Sequence, residues 1–534
     1  MIRQLLSVGG FTLLSRVTGF ARDIVLGAVL GAGAVADAFV VAFRLPNHFR
    51  AIFGEGAFNA AFVPSYARVL ETQGLPAARL FSSRIYSLLI VVQLAVLALA
   101  LVFAPQLVDL LAPGFRKDPE KFALAVSLTR ITFPYLLFVT LVTLHAGALN
   151  ATERFAAAAF APVLLNLSMI VALSCAFLFP NAGYAAAAGV VIAGFLELLL
   201  VEIAARRAGV GSWLEAPRFS EDIGAFFRAL GPAVIGSAGV QIALFADTII
   251  ASMLPTGGPS SIYYADRIYQ LPIGVIGVAA GAVILPQMSR SIAAGAPQEA
   301  LRAQNRAMAL TVALTTPFAV AFLALPDLIL QAAFVRGKYT TADALASAAV
   351  LSAYACGLFA VVLIASARAS FQARGDTTVP MIAALTAVAI NVALKIALFQ
   401  PLGAAGLAFA TSVGAWINFL ILFVLAVRAD FMTPNATFGK TLAASALSGA
   451  ALAAFVFVAR GPAAALAQHF GHFHHEIQLA ALGLSGAFVY VAVFVGAARL
   501  ARLDIKGLRP ARRAPSAARR APSAAAQADA DRTG

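Results

Sequence analysis

From Leu5 to Leu500 the chain is a succession of apolar stretches of about twenty residues or more, separated by short clusters of charge, glycine and proline. A bilayer's hydrocarbon core is about 30 Å thick, so a helix rising 1.5 Å per residue crosses it with about 20 apolar residues. Stretches of that length, repeated end to end, leave almost no polar surface for a soluble fold. The 534 residues are 61% hydrophobic and only 12% charged, which excludes a soluble globular enzyme and implies an all-α polytopic membrane protein. The longest internal connection, roughly Arg206 to Glu221, is too short for a separate soluble domain. The function is therefore carried inside the membrane. The first stretch, Leu5 to Leu30, is too long for a signal-peptide core and holds Arg16 and Arg22, so it is expected to stay in the mature chain.

Segmentation by apolar run and punctuation predicts fourteen helices, at about 5–30, 37–66, 82–112, 122–149, 157–179, 184–205, 222–254, 261–289, 305–333, 342–370, 379–400, 403–427, 440–460 and 476–500. An even number puts both termini on one side. Connections on that side hold sixteen Lys and Arg before the tail is counted, against six on the other: Arg116, Lys117, Lys121, Arg336, Lys338 and Arg460. The positive-inside rule then places both termini in the cytoplasm. The tail carries the doublet ARRAPSA-ARRAPSA, Ala511 to Ala524, a basic low-complexity segment expected to lie near anionic headgroups. The net charge of +14 comes largely from this tail and the cytoplasmic loops, so it does not indicate nucleic-acid binding.

The chain also repeats itself. Phe20-Ala21, Phe43-Arg44-Leu45-Pro46 and Val63-Pro64 to Arg68 recur as Phe245-Ala246, Tyr269-Gln270-Leu271-Pro272 and Leu285-Pro286 to Arg290, and Gly183 to Ala187 recurs as Gly406 to Ala410, all at offsets of 222 to 226 residues. Repeated halves are a common way to build a transporter. The expected organisation is an N-terminal lobe of helices 1–6 (1–210), a C-terminal lobe of helices 7–12 (211–430), two further helices (431–502) and a disordered basic tail (503–534).

Catalytic patterns are lacking. Gly337-Lys338-Tyr339 has none of the remaining phosphate-loop residues, Cys175 and Cys356 stand apart in apolar runs, and His469, His472, His474 and His475 lie in an external loop with no thiol nearby and only Glu476 as an acid. Neither cofactor nor metal is expected. Charge inside the apolar runs is the informative feature, because a lone Arg at the bilayer centre costs about 2.5–3.5 kcal/mol on insertion scales. Arg16, Arg22 and Asp23 lie on the first helix, Asp37, Arg44, Asn47, Arg50 and Glu55 on the second, and Asp266 and Arg267 at the start of the eighth. At 100° per residue Arg16 and Asp23 share a face, as do Asp37 and Arg44. Structural ion pairs or snorkelling side chains could account for some of them. Arg outnumbers acid, however, and Arg16 and Arg50 sit near the middle of their segments, so an external anion is expected, with phosphate the best match to guanidinium geometry. Pro46 and Gly54-Glu55-Gly56 would let the second helix bend around such a ligand.

These residues carry a resemblance. Ser15-Arg16-x-x-Gly19-Phe20-Ala21-Arg22-Asp23, Asp37-Ala38-Phe39, Leu45-Pro46-Asn47, Phe53-Gly54-Glu55-Gly56-Ala57-Phe58, Phe62-Val63-Pro64 and Tyr263-Tyr264-Ala265-Asp266-Arg267 resemble the MurJ/MviN family of lipid II flippases. The resemblance implies the multidrug/oligosaccharidyl-lipid/polysaccharide exporter fold, two six-helix lobes in a V around a cationic cavity, with helices 13 and 14 forming an apolar groove for a polyprenyl tail. It implies substrate-binding roles for Arg16, Arg22, Asn47, Arg50 and Arg267, and gating or ion-pair roles for Asp23, Asp37, Glu55 and Asp266. Gln270 departs from relatives with Glu there. Some relatives hold sodium with a pattern matched here by Asp247, Asn391 and Thr411, but Lys395 replaces the second acid, either as an ammonium paired with Asp247 or as a snorkelling side chain.

The expected function is flipping of undecaprenyl-pyrophosphate-linked peptidoglycan precursor (lipid II) across the bacterial cytoplasmic membrane by alternating access. Partners are this lipid-linked pyrophosphate saccharide, membrane lipids and, as candidates, proteins of cell-wall synthesis. A polysaccharide-repeat flippase, a drug/ion antiporter and a membrane scaffold are the alternatives. An outer gate is expected to pair Asp37 with Arg267.

Overall fold

The computed structural model describes residues 2–50, 57–216 and 218–503, and these are all-helical, with no strand among them. Glu55 and the basic tail from 504 onward lie outside the described residues. The N-terminal bundle comprises α1 (Ile2–Leu30), α2 (Ala34–Arg50), α3 (Ala57–Val102), α4 (Ala104–Leu111), α5 (Pro119–Thr132), α6 (Tyr135–Ala151), α7 (Ala156–Ser174) and α8 (Ala182–Arg207). The C-terminal bundle comprises α9 (Glu221–Ser252), α10 (Gly258–Pro272), α11 (Val278–Ala293), α12 (Pro297–Ala324), α13 (Pro326–Phe334), α14 (Thr341–Ala355), α15 (Leu358–Gln372) and α16 (Thr378–Arg428). The hairpin of α17 (Ala436–Ala467) and α18 (His474–Leu500) docks along α12 and α13.

The repeat read in the sequence is a repeat of packing. α2 lies on α5 as α10 lies on α14, α3 on α6 as α11 on α15, and α7 on α8 as the two halves of α16 lie on each other. Among the described residues eight helical stretches are long and apolar enough to cross a membrane, and some contain more than one passage. α3 turns at Gly74 (φ 85°) and α16 at Gly403 (φ 57°). Positive φ is cheap only for glycine, so the chain reverses there and the flanking helices pack side by side. Within the described residues five expected helices break instead, among them 122–149 at Phe133-Pro134, 261–289 in the π-helical turn Ile273–Gly277 and 342–370 at Cys356-Gly357. The stretch 82–112 ends at Val102 and restarts as α4, and 305–333 ends at Ala324 and restarts as α13; in both, proline in the first turn of the new helix ends the old one.

The two bundles meet at the end of the molecule away from the N terminus, here the far end. Lys338 N–H donates to Ala28 O at 2.8 Å, Tyr264 hydroxyl to Gly31 O at 2.9 Å, and Gly114 N–H to Ser252 Oγ at 3.2 Å. At the near end the link 211–216 is laid on α3 through Ser82, Ser83 and Ser87. Phe226 inserts among Phe58, Phe62 and Phe81. α9 thus begins on the N-terminal bundle and ends on the C-terminal one.

An apolar groove of about 650 Å³ runs between α12, α15, α16 and α17. The groove implied by the resemblance was placed on helices 13 and 14. The walls of the groove seen here come from α17 and the C-terminal bundle, and α18 lines none of it.

Candidate functional site

Three connected polar cavities lie between and within the bundles. The first, about 500 Å³, is lined by Arg16, Arg22 and Asp23 of α1 and by Arg267, Gln270 and Gly274 on and after α10. The second, about 310 Å³, shares Arg267 and Gln270 and adds Arg44, Asn47 and His48 of α2, Asp247 of α9, Tyr263 and Asp266 of α10, Tyr354 and Lys395. The third, about 410 Å³, lies inside the N-terminal bundle and is lined by Arg22, Arg50, Asn59, Asn150, Asn166 and Glu197. Across the three, Arg16, Arg22, Arg44, Arg50, Arg267 and Lys395 face Asp23, Glu197, Asp247 and Asp266, an excess of two positive charges.

The cations differ in how far they are engaged. Arg22 is buried and fully committed: its Nε and Nη2 donate to Asp23 at 3.0 and 2.7 Å and its Nη1 to Asn166 at 3.0 Å. Asn166 in turn donates to Ser15 O and Thr18 Oγ1, riveting α7 to α1. Tyr263 hydroxyl also donates to Asp23, at 2.8 Å. Arg267 lies over the Tyr263 ring at 4.6 Å and 3.9 Å from both Asp23 and Asp266, and its buried Nε has no hydrogen-bond partner among the described residues. Arg16 is exposed to the first cavity and has no carboxylate partner among the described residues. Arg50 donates to Asn47 Oδ1 at 3.0 Å, so the amide expected to meet substrate is turned toward its own helix.

The expected pairing of Asp37 with Arg267 is corrected. Asp37 is completely buried at the far end, where it accepts from Lys121 Nζ (2.7 Å), Gly257 N–H (2.8 Å), Ser260 N–H (2.9 Å) and Ser260 Oγ (2.7 Å). The N terminus of α10 has no cap of its own, and Asp37 supplies one from the other bundle. Arg267 lies seven residues beyond Ser260, about 10 Å further along the helix, too far to share this carboxylate.

Lys395 is buried and forms an ion pair with Asp247. Asn391 and Thr411 line none of the three cavities; Asn391 packs against Gly414, and Thr411 donates to Leu407 O. Asp266 accepts from Gln270, the residue that departs from the family pattern. Among the described residues no group of three or more His, Cys, Asp and Glu is arranged to hold a metal. Lys121, Asn166 and Glu197 were not singled out from the sequence. Glu197, a lone acid within Phe195 to Val201, carried the same signal that flagged the arginines, whereas Lys121 was counted as a loop residue.

A family profile described as "Lipid II flippase MurJ" matches residues 26–474. A probable lipid II flippase of Rhizobium meliloti (strain 1021) is 41% identical over 432 residues, covering 80% of this chain and 81% of its own. A solved lipid II flippase in an inward closed conformation superposes with a TM-score of 0.76 at 24% identity, covering 92% of this chain and 98% of its own. An inward-facing multidrug transporter of the MATE family gives 0.65 at 14% identity, covering 79% of this chain and 94% of its own. At those identities the two structures speak to the fold alone.

Proposed function

The chain belongs to the MurJ family of lipid II flippases, and from that membership and the cavities we propose that it moves lipid II from the inner to the outer leaflet of the bacterial cytoplasmic membrane. It acts as a carrier and not as an enzyme. One observation carries the substrate reading: among the described residues Arg16 has no carboxylate partner and Arg267 is only loosely paired, on opposite bundles of one cavity. Two guanidinium groups facing each other across water suit a pyrophosphate, whose oxygens they meet bidentately. A drug/ion antiporter for cations would call for the opposite excess.

The bundles close on each other at the far end through Asp37, and opening that contact while the near end closes gives alternating access. Arg22 serves by holding Asp23 and α7 in place rather than by touching substrate. Arg50 and Asn47 act at the entrance to the third cavity. The groove beside α17 holds the polyprenyl chain. Both termini face the cytoplasm, as the distribution of Lys and Arg supports. The Lys395 ammonium beside Asp247 stands where a cation would otherwise bind, so transport is indifferent to sodium.

Depletion in cells tests the whole reading. Lipid II should accumulate on the inner leaflet with wall synthesis arrested, and expression of the unaltered chain should restore it. A depleted strain with normal lipid II at the outer leaflet would refute it.

A further inference from the structure

The second cavity holds an arginine that the pyrophosphate does not use. Arg44 makes one hydrogen bond, from Nη1 to Thr248 Oγ1 at 3.3 Å, and has no carboxylate within 4.0 Å among the described residues. The other charges around it are engaged: Lys395 with Asp247, and Asp266 with Gln270 and Arg267, although Asp266 also attracts Arg44 across the cavity without forming an ion pair.

Its depth is the second observation. α10 starts at the far end, and along it the second cavity spans Ile262 to Gln270 while the first spans Arg267 onward to Gly274 of the following turn. Arg44 is ten residues from the start of α2, about 15 Å from the far end; Arg16 is fourteen residues from the end of α1, about 21 Å. The two cavities overlap in depth and share Arg267 and Gln270 in their common wall, and along α10 the second reaches nearer the far end.

We propose that the second cavity is the subsite for the head of the substrate beyond the pyrophosphate, and that Arg44 binds a carboxylate of its peptide. This rests on the pyrophosphate lying between Arg16 and Arg267. A ligand entering from the near end with its pyrophosphate there extends its head toward the closed far end. The sugars of that head are neutral, so the groups that attract a free guanidinium are the peptide's carboxylates. Burial strengthens the pairing, since the partly enclosed cavity screens charge less than water does.

The test uses the full chain in lipid nanodiscs and three probes: undecaprenyl pyrophosphate, the same lipid carrying the disaccharide without peptide, and lipid II. Arg44→Gln should lower affinity for lipid II about ten-fold, the scale of one charge-assisted hydrogen bond, and leave the other two within about two-fold. Arg44→Lys should recover part of the loss, and matched unfolding midpoints exclude a folding defect. Arg16→Gln should weaken all three probes. Equal weakening of all three by Arg44→Gln, no effect on lipid II, or a loss already seen with the peptide-free disaccharide would overturn the assignment. If Arg16→Gln changed none of them, the pyrophosphate reading would fail instead.

Discussion

The knot around Asp37 and the cavities around Arg16, Arg44 and Arg267 both draw on α2 and α10, and treat charge in opposite ways. At the knot every oxygen of a buried carboxylate has a donor, and its one cation, Lys121, is buried with it, 4.3 Å over the Phe115 ring. In the cavities, among the described residues, Arg16 and Arg44 have no carboxylate within 4.0 Å and Arg267 keeps an Nε without a hydrogen-bond partner. Paired charge holds two bundles together, and on the proposed function the cavity arginines are kept for a ligand. Membrane burial makes the distinction sharp, because an ion without a partner is costly in hydrocarbon and is kept only where water or substrate reaches it.

The contrast predicts different penalties in the two places. Asp37→Ala should have the largest effect, about 3–5 kcal/mol, since it leaves Lys121 buried alone and uncaps α10. A drop in the unfolding midpoint with loss of complementation would show it, and Lys121→Met in the same chain should return much of the stability. A fully stable Asp37→Ala protein would mean that the knot does not hold the bundles. Cysteines at 37 and 260 should crosslink and stop transport.

In the cavity the order reverses: function falls and stability does not. Arg16→Ala or Arg267→Ala should weaken lipid II binding by about 1.5–3 kcal/mol each, with Lys restoring only part, while Arg16→Ala leaves the unfolding midpoint unchanged. Wild-type complementation by both Ala variants at normal expression would erase the distinction between the two regions.

Lys395 and Asp247 fall between these extremes. The ammonium is buried but the carboxylate is one-third exposed, so solvent screening limits their coupling to about 1 kcal/mol. Lys395→Ala should reduce transport, and Asp247→Asn with Lys395→Gln should recover part of it, with no sodium dependence in the unaltered chain. A clear sodium requirement would count against the fixed ammonium. The smallest effect belongs to Gly274→Ala, whose new methyl would meet the Arg16 guanidinium. A flexible side chain can move aside, so a few-fold loss of affinity without a change in stability is expected.

How much of this was legible depends on whether a signal is periodic. Arg16 and Asp23, two helical turns apart, do line one cavity, and the recurrence at offsets of 222 to 226 does correspond to matched packing in the two bundles. Lys121 was misjudged because a charge count sees a loop cation, whereas α5 starts at Pro119 and turns that side chain inward. Asp37 and Arg267 look like natural partners in the sequence because segmentation puts each near the start of a helix on an opposite bundle, whereas Arg267 lies nine residues into α10. The meeting point proved to be Ser260, since what Asp37 satisfies is a helix terminus and not a guanidinium.

The sequence by itself determined the solvent, the secondary structure, the twofold repetition and the set of charges that a membrane would not tolerate idle. Those follow from composition and helical period, which are local. Which charges neutralise each other, and which stay free for a ligand, was decided by the tertiary structure alone. Arg22 and Arg16 are six residues apart on one helix, and Arg22 has Asp23 as its chain neighbour. Asn166, 144 residues away, completes the partners of Arg22, and among the described residues no carboxylate lies within 4.0 Å of Arg16. Coulomb and hydrogen-bond energies act over a few ångströms of space, and only the packing of the bundles sets those distances.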